Sequence, residues 1–354
     1  MNGETPLLLD GDPASPLDGA LPPGSPLLGR DPFDASAAGE PWLDALERLS
    51  TRIAAEPGVR PIRPLEPAAP RVAEVADGAL ASRGVARWLG DAERRRLAAL
   101  RAGRSGREDP FGLDVDAVAR ALPVMLALYR YWFRVTSEGH EHLPRRGGAI
   151  LVANHGGLLP FDGAMAALDA LLNTDPPRLL RPLVARFVRE LPLVRDFYAG
   201  IGPVIGTREN FRQLLSRREL VLVFPEGVDA IRKTVPDRYR LQHFHPGFVE
   251  EAVRLRVPVI PVAIVGPDDQ APILYDVKSL ARWLRLPTFP ITPTFPWLGP
   301  LGLLPYPVRY RIVYGEPLAL YEQAPPEAAE DRARMDEMAS RVRLTVQHLV
   351  DRNR

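Results

Sequence analysis

The sequence predicts an α/β fold: a mixed β-sheet flanked by helices, behind a disordered N-terminal tail. Two observations carry the prediction. Four short apolar runs, Ala149–Ala153, Leu220–Phe224, Val257–Val265 and Val308–Tyr314, read as strands covered on both faces. The segments between them are long enough for crossover helices. The material for a core is present, since 46% of the 354 residues are hydrophobic.

Taken in order, residues 1–41 are rich in Pro, Gly, Ala and Asp and have no period, which predicts a disordered acidic tail. Residues 42–108 form a helical and linker region. A short helix over 42–53 would align Trp42, Leu46, Leu49 and Ile53, and residues 55–70 carry five prolines. Residues 86–102 read as a helix, with Arg94–Arg96 on a solvated face. From about residue 109 to 320 the strands alternate with helices. Residues 114–133 are apolar and should be kinked at Pro123 into two pieces. Val257–Val265 holds Pro258 and Pro261, which predicts an edge strand or an irregular start. The last segment, 321–354, closes the chain with an amphipathic helix over 327–350 bearing Met335, Met338, Val342, Val346 and Leu349.

Composition narrows the function. The chain has no cysteine, which removes disulfides, thiolate nucleophiles and zinc-thiolate sites together. Residues 1–40 carry a net charge of −6, so the remainder carries about +7 of the formal total of +1. That mildly basic body suits an anionic membrane or cofactor and is too weak to argue for nucleic acid. No basic segment followed by an apolar run marks a secretory signal. Residues 286–308 are uncharged and long enough to span a bilayer, but seven prolines interrupt them, so no spanning helix is expected.

Four motifs carry chemistry. In the first, an apolar strand delivers Asn154 and His155 into a Gly156-Gly157 turn, and Asp162 follows. A neutral imidazole can take a proton from an alcohol near neutral pH, and a carboxylate on its other nitrogen would fix the tautomer. The glycines would let a ligand approach the backbone. In isolation such a pair is more often a polar turn with a helix-capping aspartate. The second motif runs from Gly202 through Gly206 to Arg208, a guanidinium able to face a phosphate. The third, Phe224-Pro225-Glu226-Gly227, projects a carboxylate at a strand end, where it could hold a substrate hydroxyl. The fourth is the proline-bearing strand Val257–Val265. Alone, each of the last three is structural.

In this order the motifs resemble the four sequence blocks of the glycerolipid acyltransferase superfamily, over roughly residues 109–320. The resemblance implies that His155 is the general base, supported by Asp162, and that Arg208, Glu226 and Gly227 bind substrate. It implies transfer of a fatty acyl group from acyl-CoA or acyl-carrier protein to a glycerolipid hydroxyl such as that of lysophosphatidate or an acylglycerol. It requires no bound cofactor, no metal and no covalent acyl-enzyme. The protein would then sit peripherally on the inner face of the cell membrane. Six residues separate His155 from Asp162, where the superfamily usually has four, and Val228-Asp229-Ala230 replaces the usual Thr-Arg-Ser of the third block. The longer turn resembles the monoacylglycerol-acyltransferase-like branch, and the changed third block weakens the case for a phosphorylated acceptor and leaves a neutral acylglycerol open.

Two other readings compete. A lipid esterase is one, because His155-Gly156-Gly157 resembles an oxyanion loop; no Gly-x-Ser-x-Gly nucleophile elbow accompanies it. A catalytically inactive lipid-binding relative is the other, and the joint presence of His155, Asp162, Arg208 and Glu226 argues against it. His243 and His245 read as surface or loop residues.

Overall fold

A computed structural model describes residues 89–104, 109–185, 200–284, 286 and 288–354. The expected tail at 1–41, the helix at 42–53 and the linker at 55–70 lie outside the described residues.

Among the described residues the helices, in chain order, are α1 (Asp91–Arg104), α2 (Val115–Ala127), α3 (Phe161–Asn173), α4 (Arg208–Ser216), α5 (Gly247–Leu255), α6 (Pro267–Gln270), α7 (Lys278–Leu284) and α8 (Arg332–Asn353). The strands are β1 (Thr136–Glu138), β2 (Ala149–Ala153), β3 (Leu180–Val184), β4 (Val204–Ile205), β5 (Leu220–Val223), β6 (Val259–Val265), β7 (Tyr275–Asp276), β8 (Pro290–Ile291) and β9 (Arg311–Tyr314). Seven of them form one sheet in the order β1-β9-β6-β2-β5-β3-β4, and β7 and β8 form a separate pair. All neighbours in the large sheet are parallel except β6 and β9.

The continuous apolar runs work as expected of a sheet covered on both faces. On β2, Ala149, Leu151 and Ala153 join one buried cluster with α1, α2 and α3. Ile150 and Val152 point the other way, into a second cluster with α4, α5 and α8. That alternation is the period of two expected of a strand between two helical layers.

Three expectations are corrected. The strand holding Pro261 is interior, between β2 and β9. The Pro261 carbonyl accepts from Gly315 N at 2.8 Å, so its missing N–H faces the same side, just beyond Tyr314 where β9 ends. The pair therefore keeps one of the two bonds that opposed residues exchange, and the missing one falls at the end of the ladder. Pro123 lies inside α2 without ending it, and the helix continues as a π-helical turn over Leu128–Trp132. The closing helix starts at Arg332 because Asp331 caps it, accepting from Arg334 N at 3.1 Å.

Asp169 on α3 ties this architecture together. It is fully buried and accepts from Tyr129 Oη (2.6 Å), Ser137 Oγ (2.5 Å), Asn173 Nδ2 (2.9 Å) and Tyr314 Oη (2.7 Å). Burial opposes its charge, but hydrogen bonds from His140, Ser137, Tyr129 and Tyr314 outweigh it and hold the carboxyl below its ordinary range. One carboxylate thus anchors the π-helical turn, β1 and β9 to the helix that also bears Asp162. Replacing Asp169 with Ala takes this acceptor from the Tyr129, Ser137 and Tyr314 hydroxyls and should cost about 3 kcal/mol or more. Urea denaturation would measure it, and a loss under about 1 kcal/mol would mean the network is dispensable.

Candidate active site

The parallel strands β5, β2 and β6 end side by side, and every feature of the site grows from those three ends. Asn154 extends β2 with its side chain: its amide donates to Ile264 O at 2.9 Å and accepts from Ile264 N at 2.8 Å. That locks β2 to β6 one residue before the chain turns. His155 follows, pinned on both sides of its main chain. Its N–H donates to Glu226 Oε1 at 2.9 Å, and its carbonyl accepts from Lys233 Nζ at 2.8 Å.

The imidazole and the carboxylate inferred from sequence do meet. His155 Nδ1 lies 2.5 Å from Asp162 Oδ2. Asp162 is fully buried in the first turn of α3, where the helix N-terminus favours negative charge. It also accepts from Gly156 N at 3.2 Å and Gly163 N at 2.7 Å. A carboxylate only accepts, so Nδ1 carries the proton and Nε2 is left as the basic nitrogen. The Phe224 ring lies 4.5 Å from the imidazole. Burial pulls the His155 pKa down, but the Asp162 charge and hydrogen bond overcome it, with Glu226 adding to the rise and Lys233 opposing it; the net shift is upward.

His155 lines an apolar cavity of about 380 Å³. Its long walls are Val118, Leu122 and Met125 of α2 and Ala164, Ala167, Leu168 and Leu171 of α3, with Phe224 near the imidazole. Polar residues of its wall are His155, Glu226, Asp229 and His245.

The other expectations divide. Glu226 and Gly227 both line this cavity. Glu226, however, is buried, and both carboxylate oxygens are taken: Oε1 by His155 N, Oε2 by Gln242 N at 2.8 Å. Burial pushes its pKa up, opposed by Lys233. Through the bond to His155 N it holds the His155 turn. Arg208 begins α4 beyond the end of β4 and pairs with buried Glu250 at 2.7 Å, and it is not among the described residues of the cavity wall. The two glycines after His155 are fitted to the protein itself. A side chain at Gly156 would collide with Asp268, and one at Gly157, whose φ is +75°, would collide with Gln270. His243 and His245 lie in a loop, as expected; His243 is exposed, whereas His245, whose N–H donates to Pro225 O at 3.0 Å, also lines the cavity.

The sequence reading missed Lys233 and Asp268. Lys233 Nζ lies 3.6 Å from Glu226 Oε2 and 3.7 Å from Asp268 Oδ1, with 3% of its side chain exposed. Their signal was position: Lys233 closes the turn that begins with Glu226, and Asp268 stands just past the end of β6.

Comparison with known proteins bears on the family. The acyltransferase family model matches residues 134–265. An uncharacterized protein of Mycobacterium tuberculosis is 40% identical over 248 residues, covering 69% of this chain and 68% of its own. One of Mycobacterium leprae is 41% identical, covering 69% and 67%. The chain belongs to the acyltransferase family. This acyltransferase is also 24% identical, over 53% of each chain, to a chicken protein named a DGAT1/2-independent enzyme synthesizing storage lipids. Among solved structures it is similar to the 1-acyl-sn-glycerophosphate acyltransferase PlsC of Thermotoga maritima, with 20% identity, a TM-score of 0.38, and coverage of 69% of this chain and 85% of that one.

The electrostatics of the pair give a prediction with a definite sign. The His155 imidazole should titrate above its ordinary value of about 6.5. In Asp162→Asn the group that raises it is gone, so the midpoint should fall. Nitrogen NMR of the imidazole would read both; an unmoved or higher midpoint in Asp162→Asn would refute the pairing.

Proposed function

We propose that this acyltransferase moves a fatty acyl group from an acyl thioester, of coenzyme A or acyl-carrier protein, to a hydroxyl of a glycerolipid. The observation that carries the reading is the carboxylate-oriented imidazole set in the wall of an apolar cavity. The cavity suits an alkyl chain, because its walls offer no polar partner along α2 and α3. His155 Nε2 takes the proton of the acceptor hydroxyl as its oxygen attacks the thioester carbonyl. The tetrahedral adduct collapses and expels the thiolate, which takes the proton back from the imidazolium. Asp162 holds the ring and stabilises its charged form. No covalent acyl-enzyme is required.

Three observations favour a neutral acylglycerol over lysophosphatidate as the acceptor. Arg208 already faces a buried carboxylate, Glu250. The third block lacks the usual Thr-Arg-Ser. The chicken relative is named for storage-lipid synthesis. Acyl transfer by the purified protein should be assayed with lysophosphatidate, monoacylglycerol, diacylglycerol and fatty alcohol. His155→Ala should lose about a hundredfold to ten-thousandfold of the rate while remaining folded. Near-native turnover in that variant would end the assignment, and release of free fatty acid without acceptor acylation would point to an esterase. Arg208→Ala should spare the neutral acceptor; a loss confined to lysophosphatidate would make Arg208 a phosphate contact.

Such acceptors reside in bilayers, and no described helix is long and apolar enough to cross one. We place the protein at the membrane surface, on its cytoplasmic face. The segment 286–308 supports this in part. Thr288 and Thr292 are buried and Phe295 packs on Phe289 at 5.4 Å, whereas Trp297, Leu298, Leu301 and Leu304 are exposed. Exposed Trp132, on the continuation of α2, donates to Pro305 O at 3.2 Å, so a wall of the cavity connects directly to this apolar surface. Changing Trp297, Leu298 and Leu301 to Ser should weaken sedimentation with liposomes and leave the melting temperature nearly unchanged. A large melting shift with unaltered sedimentation would return the segment to the core.

A further inference from the structure

Around His155 the structure buries more charge than a base and its carboxylate need. Glu226 and Asp268 are both buried, and neither is a hydrogen-bond partner of the imidazole. Glu226 holds the His155 N–H and Gln242 N. Asp268 accepts from Tyr239 N at 2.6 Å and lies so close to Gly156 that no side chain fits between them. Lys233 stands between these two carboxylates and spends a hydrogen bond on the His155 carbonyl. Two buried anions without a cation would be costly, and an ammonium there repays that cost only with well-placed partners. Lys233 has three, drawn from the ends of three adjacent strands: Glu226 after β5, His155 after β2 and Asp268 after β6.

We propose that Lys233 is a positioning residue of the reaction described above. It fixes the His155 main chain from the carbonyl side and offsets part of the negative charge of Glu226 and Asp268, so that less of that charge reaches the ring beside Asp162. The inference rests on that reaction for its kinetic consequences only. Other groups facing the imidazole are Asp162 from α3, Glu226 from the turn after β5 and the Phe224 ring. Removing the ammonium leaves Glu226 and Asp268 unbalanced. An unbalanced negative field stabilises the imidazolium, so the neutral base is then available only at higher pH.

The test compares Lys233→Met, Lys233→Arg and the double variant Lys233→Met with Asp268→Asn, each checked for folding by circular dichroism. Lys233→Met should lower kcat by about tenfold or more, the scale of one lost charge-assisted hydrogen bond. KM for the acyl thioester should change little. Its His155 midpoint, read by nitrogen NMR, should rise by about one unit, as expected for one charge a few ångströms away. The acid limb of the rate profile should move up with it. Lys233→Arg should recover part of kcat, and the double variant should return the midpoint toward that of the unmodified protein while kcat stays low, because the carbonyl still lacks its donor. An unchanged kcat and midpoint in Lys233→Met would overturn the proposal. Should that variant fail to fold, the double variant decides, and native kcat there would overturn it equally. The NMR midpoints do not depend on turnover. Absence of transfer by the unmodified protein would therefore refute the proposed reaction, while the midpoints would still judge the role of Lys233.

Discussion

The hydrogen bond between Asp162 and His155 is the contact on which the rest of the site depends. Burial alone opposes the carboxylate charge, which the helix N-terminus offsets only in part, and a half-enclosed imidazole has no reason to prefer one tautomer. Together they settle both. The carboxylate gains the imidazole N–H beside the Gly156 and Gly163 amides, and the imidazole gains a fixed orientation. The six-residue turn between them is long enough to bring the first turn of α3 back beneath the end of β2, and its two glycines let that turn press against Asp268 and Gln270.

The sheet supplies the remaining constraint. Parallel strands deliver their C-terminal ends to one edge, so side chains distant in sequence meet there without a long excursion of the chain. Asn154 stitches β2 to β6, Glu226 reaches from β5 to the His155 amide, and Lys233 returns to the His155 carbonyl. The imidazole is thus held by its main chain on two sides and by its ring on a third. On one side of it lies an apolar cavity between α2 and α3, and beneath it a compact set of buried charges. The two meet at His155 and Glu226, which belong to both, while the cavity walls along α2 and α3 stay apolar.

Much of this was legible in the sequence, for identifiable reasons. Continuous apolar runs marked β2, β5, β6 and β9, since a strand buried on both faces needs no polar alternation. Order of motifs marked His155, Asp162, Glu226 and Gly227 as neighbours. What was not legible depended on tertiary pairing. Pro261 reads as an edge residue until the end of β9 is known. That Glu226 also accepts from His155 N and Gln242 N could not be read from the sequence, because both partners come from other parts of the chain. Arg208 reads as a free cation until Glu250, far along the chain, is placed against it. Lys233, Asp268 and Asp169 resemble any charged residue in a turn or helix, and only burial shows that each holds several elements at once.

The central claim is geometric: an acyl chain lies between α2 and α3 with its thioester beside His155. Photolabelling tests it directly. An acyl thioester carrying a diazirine midway along its chain would be bound, irradiated and mapped by peptide mass spectrometry. The account predicts crosslinks on the cavity-facing residues Leu122, Met125, Ala164 and Leu168, displaced by unlabelled acyl thioester. Displaceable crosslinks confined to the outer segment around Trp297 and Leu301, with none on α2 or α3, would contradict it.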